Sequence, residues 1–200
     1  LTFDLEGIGE VGIVGCAVGA SFAVLVAEQL FASGCKLLVS VTSAGLIADS
    51  GPTPYFVLID RALRDEGTSY HYLPPSTFSE APSANLLADV ERALPEHCDV
   101  VVHRGATWTT DAPYRETETA IEAARAKGVV AVEMEAAALY AFATARDRSV
   151  VCFAHVTNSM ARTEGDFEKG DADGVTATLA VVAATARAWT STSPLERDSI

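Results

Sequence analysis

The chain has 200 residues, of which 49% are hydrophobic and 20% are charged. This composition is typical of one globular domain, and it excludes a disordered segment, a collagen-like fibre and a coiled coil. The 27 acidic and 14 basic side chains give a net charge of −13. Because nucleic acids and anionic membranes attract basic surfaces, this balance argues against either of them as a partner.

Strands and helices are predicted to alternate along the chain. In chain order they are strand 11–16, helix 21–33, strand 36–42, strand 55–60, helix 85–94, strand 100–103, helix 116–127, strand 129–133, helix 135–146, strand 150–156 and helix 175–189. Gly34 and Gly128 are placed to end two of the helices, and Pro95 is predicted to stop the helix before it. The polar, acidic residues 161–174 are predicted to form a loop.

This alternation indicates an α/β fold. Strands separated by helices of roughly 10–15 residues form βαβ units and a mainly parallel sheet. The apolar runs lack a clean two-residue alternation, as expected for strands covered on both faces. Because the sequence contains no linker and no internal repeat, residues 1–190 are expected to form one domain, followed by a frayed tail over residues 191–200.

The cellular location is predicted from the cysteines and from missing targeting signals. No stretch reaches the roughly 18 consecutive apolar residues of a membrane span, and no basic leader is present at the start of the chain. Three of the four cysteines lie in or beside apolar runs, and no CxxC pair occurs. Buried free thiols of this kind fit a reducing compartment, so a cytoplasmic protein without membrane contact is expected.

Candidate functional residues are sought after the strands, because ligands of α/β sheets bind outside the carboxyl ends of the strands. Thr42, Ser43, Ala44 and Gly45 follow one predicted strand. Their hydroxyl and amide groups suit an anion such as phosphate, and the alternative is an ordinary turn with local hydrogen bonds.

Two acidic residues follow another predicted strand. Glu133 and Glu135, with Met134 between them, stand where that strand ends and a helix begins. Carboxylates suit sugar hydroxyls because each oxygen accepts hydrogen bonds. The alternative is that they cap the helix, whose N-terminus favours negative charge.

The remaining candidates are an aromatic, a cation and an amide. Trp108 offers a flat face to a planar ligand and Arg115 offers a fork of donors, within a segment, 107–117, that is predicted to be a loop. The alternative is a packed loop with Trp108 in the core. Asn158 follows the last predicted strand and can donate and accept hydrogen bonds at once, although turns also favour asparagine.

Other classes of site find no support in the sequence. The letters GxGxxG at residues 7–12 run into a predicted strand rather than opening a helix, so a dinucleotide site is not expected. The histidines are scattered and no metal-ligand spacing occurs, so no metal site is expected. No GxSxG motif of an α/β-hydrolase is present.

Taken together, the strand-end segments resemble the nucleoside phosphorylase superfamily. The resemblance rests on the small-residue turn near Gly19, on Ser43-Ala44-Gly45, on the letters TWTTDAPYRET at 107–117, on VEMEAAAL at 132–139 and on the strand-end Asn158. It implies a three-layer α/β/α sandwich with a central mixed, mainly parallel sheet. It also implies a homo-oligomer between a dimer and a hexamer.

The activity implied by the resemblance is cleavage of a nucleoside N-glycosidic bond. Inorganic phosphate is the co-substrate, no organic cofactor is required, and the products are the free base and a pentose 1-phosphate. By the same resemblance Glu135 binds the ribose hydroxyls, Met134 packs under the sugar, and Glu133 is the first acid of the same substrate-binding motif.

The resemblance assigns the base and phosphate contacts as well. Trp108 stacks on the base, Arg115 lies near the base carbonyls, and Asn158 stands at the position of a base-protonating aspartate. Ser43 and Thr42 bind phosphate, and they are followed by a wall near base and sugar, formed by Ala44 and Gly45.

The chain departs from the family pattern at several of these positions. Phosphorylases of the superfamily carry an arginine at the position of Ser40 and a glycine at the position of Thr42, so Arg64 is considered as a replacement for the missing charge. Asn158 cannot act as a general acid. Members of the family also carry further strands before the first strand of this chain. A hydrolytic nucleosidase and a non-catalytic nucleoside-binding protein therefore remain as alternatives to a phosphorylase.

Overall fold

The computed structural model describes residues 1–48, 51–159 and 171–192. Its strands are β1 (Thr2–Leu5), β2 (Gly9–Gly12), β3 (Leu37–Leu46), β4 (Tyr55–Asp65), β5 (Phe78–Glu80), β6 (Val102–Thr110), β7 (Val129–Glu133) and β8 (Ser149–Ser159). Its α-helices are α1 (Ala20–Ala32), α2 (Ala84–His97), α3 (Glu118–Arg125), α4 (Ala136–Arg146) and α5 (Val175–Thr192).

Six of the strands form one mixed sheet in the order β5-β4-β6-β7-β3-β8. The pairs β3–β8, β4–β6 and β6–β7 are parallel, whereas β3–β7 and β4–β5 are antiparallel. An additional antiparallel pairing of β4 with β8 joins the sheet to itself. The α/β fold with a mixed sheet is confirmed. The three-layer sandwich is not, because this pairing closes the sheet into a barrel-like arrangement.

Apolar side chains cover both faces of the strands, as the sequence predicts. Alternate residues of β3 point in opposite directions, so that Leu38 and Ala44 pack toward α1 and α4, whereas Leu37 and Val39 pack toward α2 and α5. A third cluster lies between α3 and the ends of β6 and β7. The site described below lies on the α1 and α4 side.

Helix α4 is buried on nearly every side, because all residues from Ala136 to Ala143 are buried. Its alanines let the helix backbone approach the strands closely. The hydroxyl of Tyr140 donates to the carbonyl oxygen of Ile59 in β4 at 2.6 Å and accepts from the backbone N–H of Cys152 in β8 at 3.1 Å. These two bonds fix the helix across the seam where the sheet closes.

The first predicted strand, 11–16, is wrong beyond residue 12. The structure has instead a β-hairpin of β1 and β2, in which Gly7 and Gly9 adopt φ angles of 78° and 101°. A side chain would strain both positions, and the GxGxxG letters run from the turn into β2 rather than opening a helix. The small β5 strand also had no clear signal in the sequence.

Two predicted loops turn out to be strand. β3 continues through Ser43-Ala44-Gly45 with a bulge between Ala44 and Gly45, and β6 continues through residues 107–110. Helix α2 extends past Pro95 to His97, because a proline in the last turn removes only one backbone donor. The predicted loop 161–174 and tail 191–200 lie mostly outside the described residues. No helix in the described part of the chain is both long and apolar enough to cross a membrane.

Candidate active site

The N-terminus of α4 is built around the buried carboxylate of Glu133. One oxygen, Oε2, accepts hydrogen bonds from the backbone N–H groups of Glu135 and Ala136, both at 2.7 Å. These N–H groups have no partner inside the helix, so the carboxylate acts as their cap and meets the positive end of the helix dipole.

The other oxygen of Glu133 is held by two threonines of β6. Oε1 accepts from the hydroxyl of Thr107 at 3.1 Å and from the hydroxyl of Thr109. Thr109 lies directly opposite Glu133 in the β6–β7 register, and its Oγ1 also accepts from the backbone N–H of Ala137 at 2.9 Å. Both threonines point to the same side because they are two residues apart on a strand.

Glu133 is only 2% exposed, and this burial has the largest effect on its pKa. Removal from water raises its pKa from 4.5 to about 7, and the negative charge of Glu135 acts in the same direction. The hydrogen bonds from Thr109 and from the backbone of Ala136 and Glu135 oppose the shift. The predicted direct contact of Glu133 with substrate is not supported, because its oxygens are occupied by the protein itself; the capping alternative describes it.

Glu135 is held in a different way, by groups from α1 and β3. Its Oε1 accepts from the backbone N–H of Gly19 at 2.6 Å, and its Oε2 accepts from the hydroxyl of Thr42 at 2.7 Å. Gly19 precedes α1 with a φ angle of 91°, a backbone conformation that favours glycine. The carboxylate therefore links the start of α4, just past the end of β7, to the residue before α1 and to the middle of β3.

The end of β3 lies between the two other strand ends that were singled out from the sequence. Gly45 stands opposite Val132 of β7 on one side and opposite Asn158 of β8 on the other. Ala44 is buried and Ser43 is exposed. The side chain of Asn158 lies outside the described part of the structure, so its predicted contact with the base stays a prediction.

Trp108 does not offer a face to a ligand at this site. It lies on β6 between Thr107 and Thr109, so its side chain points to the opposite face of the strand. There it is 4% exposed among apolar residues of α3 and β7, and its Nε1 donates to Asp65 Oδ2 at 3.0 Å. The core alternative therefore describes Trp108, and the predicted stacking on a base finds no support.

Arg64 is equally unsuited to the predicted phosphate contact. It is 5% exposed, and its guanidinium donates to the hydroxyls of Ser69 and Ser76, both at 2.8 Å, and to the carbonyl oxygen of Pro74 at 2.7 Å. The guanidinium also stacks on the ring of Tyr70 at 4.2 Å. These bonds stabilise the segment after β4, so the donors of the guanidinium are used within the protein and not for a bound anion.

Two predicted contacts remain accessible. Arg115 ends a short 3-10 helix, Pro113–Arg115, that follows β6, and it is exposed. Met134 is half-buried between the two glutamates. Tyr114, which the sequence did not single out, is 100% exposed in the same short helix.

The structure thus joins Glu135, Thr42 and Gly19 by hydrogen bonds, and it pairs Gly45 with Asn158 farther along β3. The sequence did not single out the roles of Thr107 and Thr109, although their two-residue spacing before a strand end was a usable signal. Within the described residues, no group of three or more metal-ligating side chains lies together. The site presents a fixed carboxylate, which can bind hydroxyl groups and stabilise nearby positive charge.

Comparisons with known proteins agree with this arrangement at the level of the family and the fold. A family model described as the Phosphorylase superfamily matches residues 3–190. No curated protein sequence matches the chain.

Several solved structures share the fold. Uridine phosphorylase from Vibrio fischeri ES114, complexed with 6-hydroxy-1-naphthoic acid, superposes with a TM-score of 0.71 at 21% identity over 94% of this chain and 73% of that chain. A second structure of the same enzyme gives a TM-score of 0.63 at 21% identity, over 86% and 66%. AMP nucleosidase from Bacteroides thetaiotaomicron VPI-5482 gives 0.62 at 23% identity, over 70% and 61%. The chain therefore spans between 61% and 73% of these structures.

Proposed function

Because the chain belongs to the phosphorylase superfamily, we propose that it cleaves the N-glycosidic bond of a nucleoside with phosphate as the acceptor. The observation that carries this proposal is the Glu135 carboxylate, which is buried just past the end of β7 and held on both oxygens by Gly19 and Thr42. A carboxylate in that place binds the sugar hydroxyls and faces the positive charge that develops when the bond to the base breaks.

In the proposed reaction the sugar is held on Glu135 and Met134. The bond between the anomeric carbon and the base nitrogen breaks, and its electron pair leaves with the base. A phosphate oxygen forms the new bond to the anomeric carbon, which gives a pentose 1-phosphate. Ser43 is exposed at the end of β3 and is the proposed phosphate contact, and Asn158 is the proposed hydrogen-bond partner of the departing base.

Hydrolysis is the second candidate, and one observation favours it. Phosphate binding in a closed site calls for a cation, yet the guanidinium of Arg64 is occupied by Ser69, Ser76 and Pro74. Position 40, where the resemblance leads one to expect an arginine, is a serine. Water in place of phosphate would need no such cation.

The acceptor is identified by the products. The purified protein is incubated with matched purine and pyrimidine nucleosides, with and without inorganic phosphate, and the free base and the sugar product are separated by chromatography. Pentose 1-phosphate formed only with phosphate supports the phosphorylase. Free pentose formed at the same rate without phosphate supports the nucleosidase. Binding without release of base from any nucleoside overturns both and leaves a nucleoside-binding protein.

The remaining expectations about the whole protein stay predictions. They are a homo-oligomeric state, a cytoplasmic location and catalysis without an organic cofactor.

A further inference from the structure

The orientation of the Glu135 carboxylate depends on one backbone donor and one side-chain donor. The backbone N–H of Gly19 reaches Oε1 at 2.6 Å, and the hydroxyl of Thr42 reaches Oε2 at 2.7 Å. The Thr42 hydroxyl lies farther, 3.4 Å, from the carbonyl oxygen of Ser43. Because a hydroxyl has one proton and the shorter contact is to a carboxylate, the proton goes to Glu135.

The position of Thr42 on β3 explains this contact. Leu38 and Ala44, which have the same parity on the strand, pack toward the cluster formed with α1 and α4. Thr42 points to the same face, where α4 begins. Its hydroxyl is thus supplied by the strand geometry rather than by a mobile loop.

The Glu135 carboxylate has acceptor positions that the protein does not fill. An ionised carboxylate has about four lone-pair positions, two on each oxygen. The protein fills one on each oxygen, so one position on each oxygen remains for a ligand. Two hydroxyls on neighbouring carbons match two neighbouring acceptors of one carboxylate. Because Glu135 is only 4% exposed, an acceptor left unfilled by the ligand is costly.

We propose that Thr42 is a positioning residue for Glu135, and that together they select a vicinal diol, so that the protein acts on ribonucleosides in preference to 2′-deoxyribonucleosides. This inference rests on the proposed function of the site and goes further, since it names the sugar. The 2′- and 3′-hydroxyls of ribose fill both remaining acceptor positions. A 2′-deoxyribose fills only one of them and leaves the other without a donor.

The test compares matched substrates on matched variants of the full chain. Thr42→Val keeps the β-branched shape and removes the donor, whereas Thr42→Ser keeps the donor. Thr185→Val is the control, because Thr185 is fully buried in α5, donates to the carbonyl oxygen of Val181 at 2.8 Å and lies on the other face of the strands. The substrates are uridine with 2′-deoxyuridine and adenosine with 2′-deoxyadenosine, and kcat and KM are measured from base release.

We expect the unaltered protein to favour the better ribonucleoside over its 2′-deoxy analogue by about 10- to 100-fold in kcat/KM, the range of one hydrogen bond to a charged group. Thr42→Ser and Thr185→Val keep this ratio, and Thr42→Val brings it close to one. Equal use of the two sugars by the unaltered protein overturns the inference. An unchanged ratio in a folded Thr42→Val variant does the same.

A protein that releases no base from any nucleoside would remove the proposed function but still test the inference. In that case the same nucleoside pairs are titrated by calorimetry. Tighter binding of the ribonucleoside that is lost in Thr42→Val supports the role of Thr42. Equal binding of both sugars, or binding of neither, overturns it.

Discussion

The carboxylate of Glu133 accepts a hydrogen bond from the backbone N–H of Glu135 at 2.7 Å, so the buried acid fixes the backbone of the acid beside it. Glu133 and Glu135 therefore have different roles. Glu133 is committed to two threonines and to the N-terminus of α4. Glu135 keeps acceptor positions free for a ligand.

Replacing Glu133 is therefore expected to affect stability first. Glu133→Ala removes the acceptor of two backbone N–H groups and two hydroxyls in a buried place. The free energy of unfolding should fall by about 2–4 kcal/mol. Urea unfolding followed by circular dichroism measures the change. A Glu133→Ala variant as stable as the unaltered protein would show that this cap is unimportant.

The raised pKa of Glu133 predicts a dependence of stability on pH. Its pKa is about 7 in the folded protein and near 4.5 when unfolded, so the folded state binds the proton more tightly. The contribution to stability is present below about pH 4.5, and about 3 kcal/mol is lost as the pH rises to 7. The amide of Glu133→Gln does not titrate, so this variant lacks that dependence on pH.

The measurement is urea unfolding of both proteins at pH 5 and pH 8. The stability of the unaltered protein should fall relative to that of Glu133→Gln as the pH rises. A difference between the two proteins that is the same at both pH values would contradict the shift.

Replacing Arg64 tests whether it binds the segment after β4 or a phosphate ion. Arg64→Lys loses the fork that reaches Ser69, Ser76 and Pro74, and the unfolding free energy should fall by about 2–3 kcal/mol. The KM for phosphate should stay unchanged. Arg92→Lys is the control, because Arg92 is an exposed partner of Asp89 on α2. A rise in the KM for phosphate in Arg64→Lys but not in Arg92→Lys would show that Arg64 contacts phosphate.

Replacing Trp108 distinguishes a role in the hydrophobic core from a role in stacking on a base. Trp108→Phe keeps a ring in the cluster beside α3 but leaves Asp65 without its indole donor. The unfolding free energy should fall by about 1–2 kcal/mol, while the KM for nucleoside should not change. Trp189→Phe in α5 is the matched variant. A large rise in the nucleoside KM for Trp108→Phe would contradict its place in the core.

The sequence predicts most elements of the fold because their signals are local. Strand β7 is found at its predicted bounds, and the starts of α1, α2 and α4 are each found within one residue. The closure of the sheet could not be predicted, since it depends on a long-range pairing between β4 and β8. The sequence predicts turns or loops at the ends of β3 and β6, because serine, glycine and threonine are also common in turns.

The site was predictable in part for the same reason. Glu135 and Thr42 were singled out from their places after strands, which the α/β architecture determines. The different roles of Trp108 and Thr109 depend on the alternation of side chains along a strand, and a loop prediction for this segment contains no such alternation. The partners of Arg64 lie in an irregular segment after β4, where no periodic pattern indicates which side chains meet.

The most direct measurement of the central claim is base release by Glu135→Gln beside the unaltered protein, with the nucleoside and acceptor that give turnover. The amide keeps the shape of the side chain but removes the charge that the proposed function places beside the breaking bond. We expect kcat/KM to fall by at least about 100-fold, with the urea midpoint within the range of the unaltered protein. Full activity in a folded Glu135→Gln variant would contradict the assignment of the sugar site to Glu135.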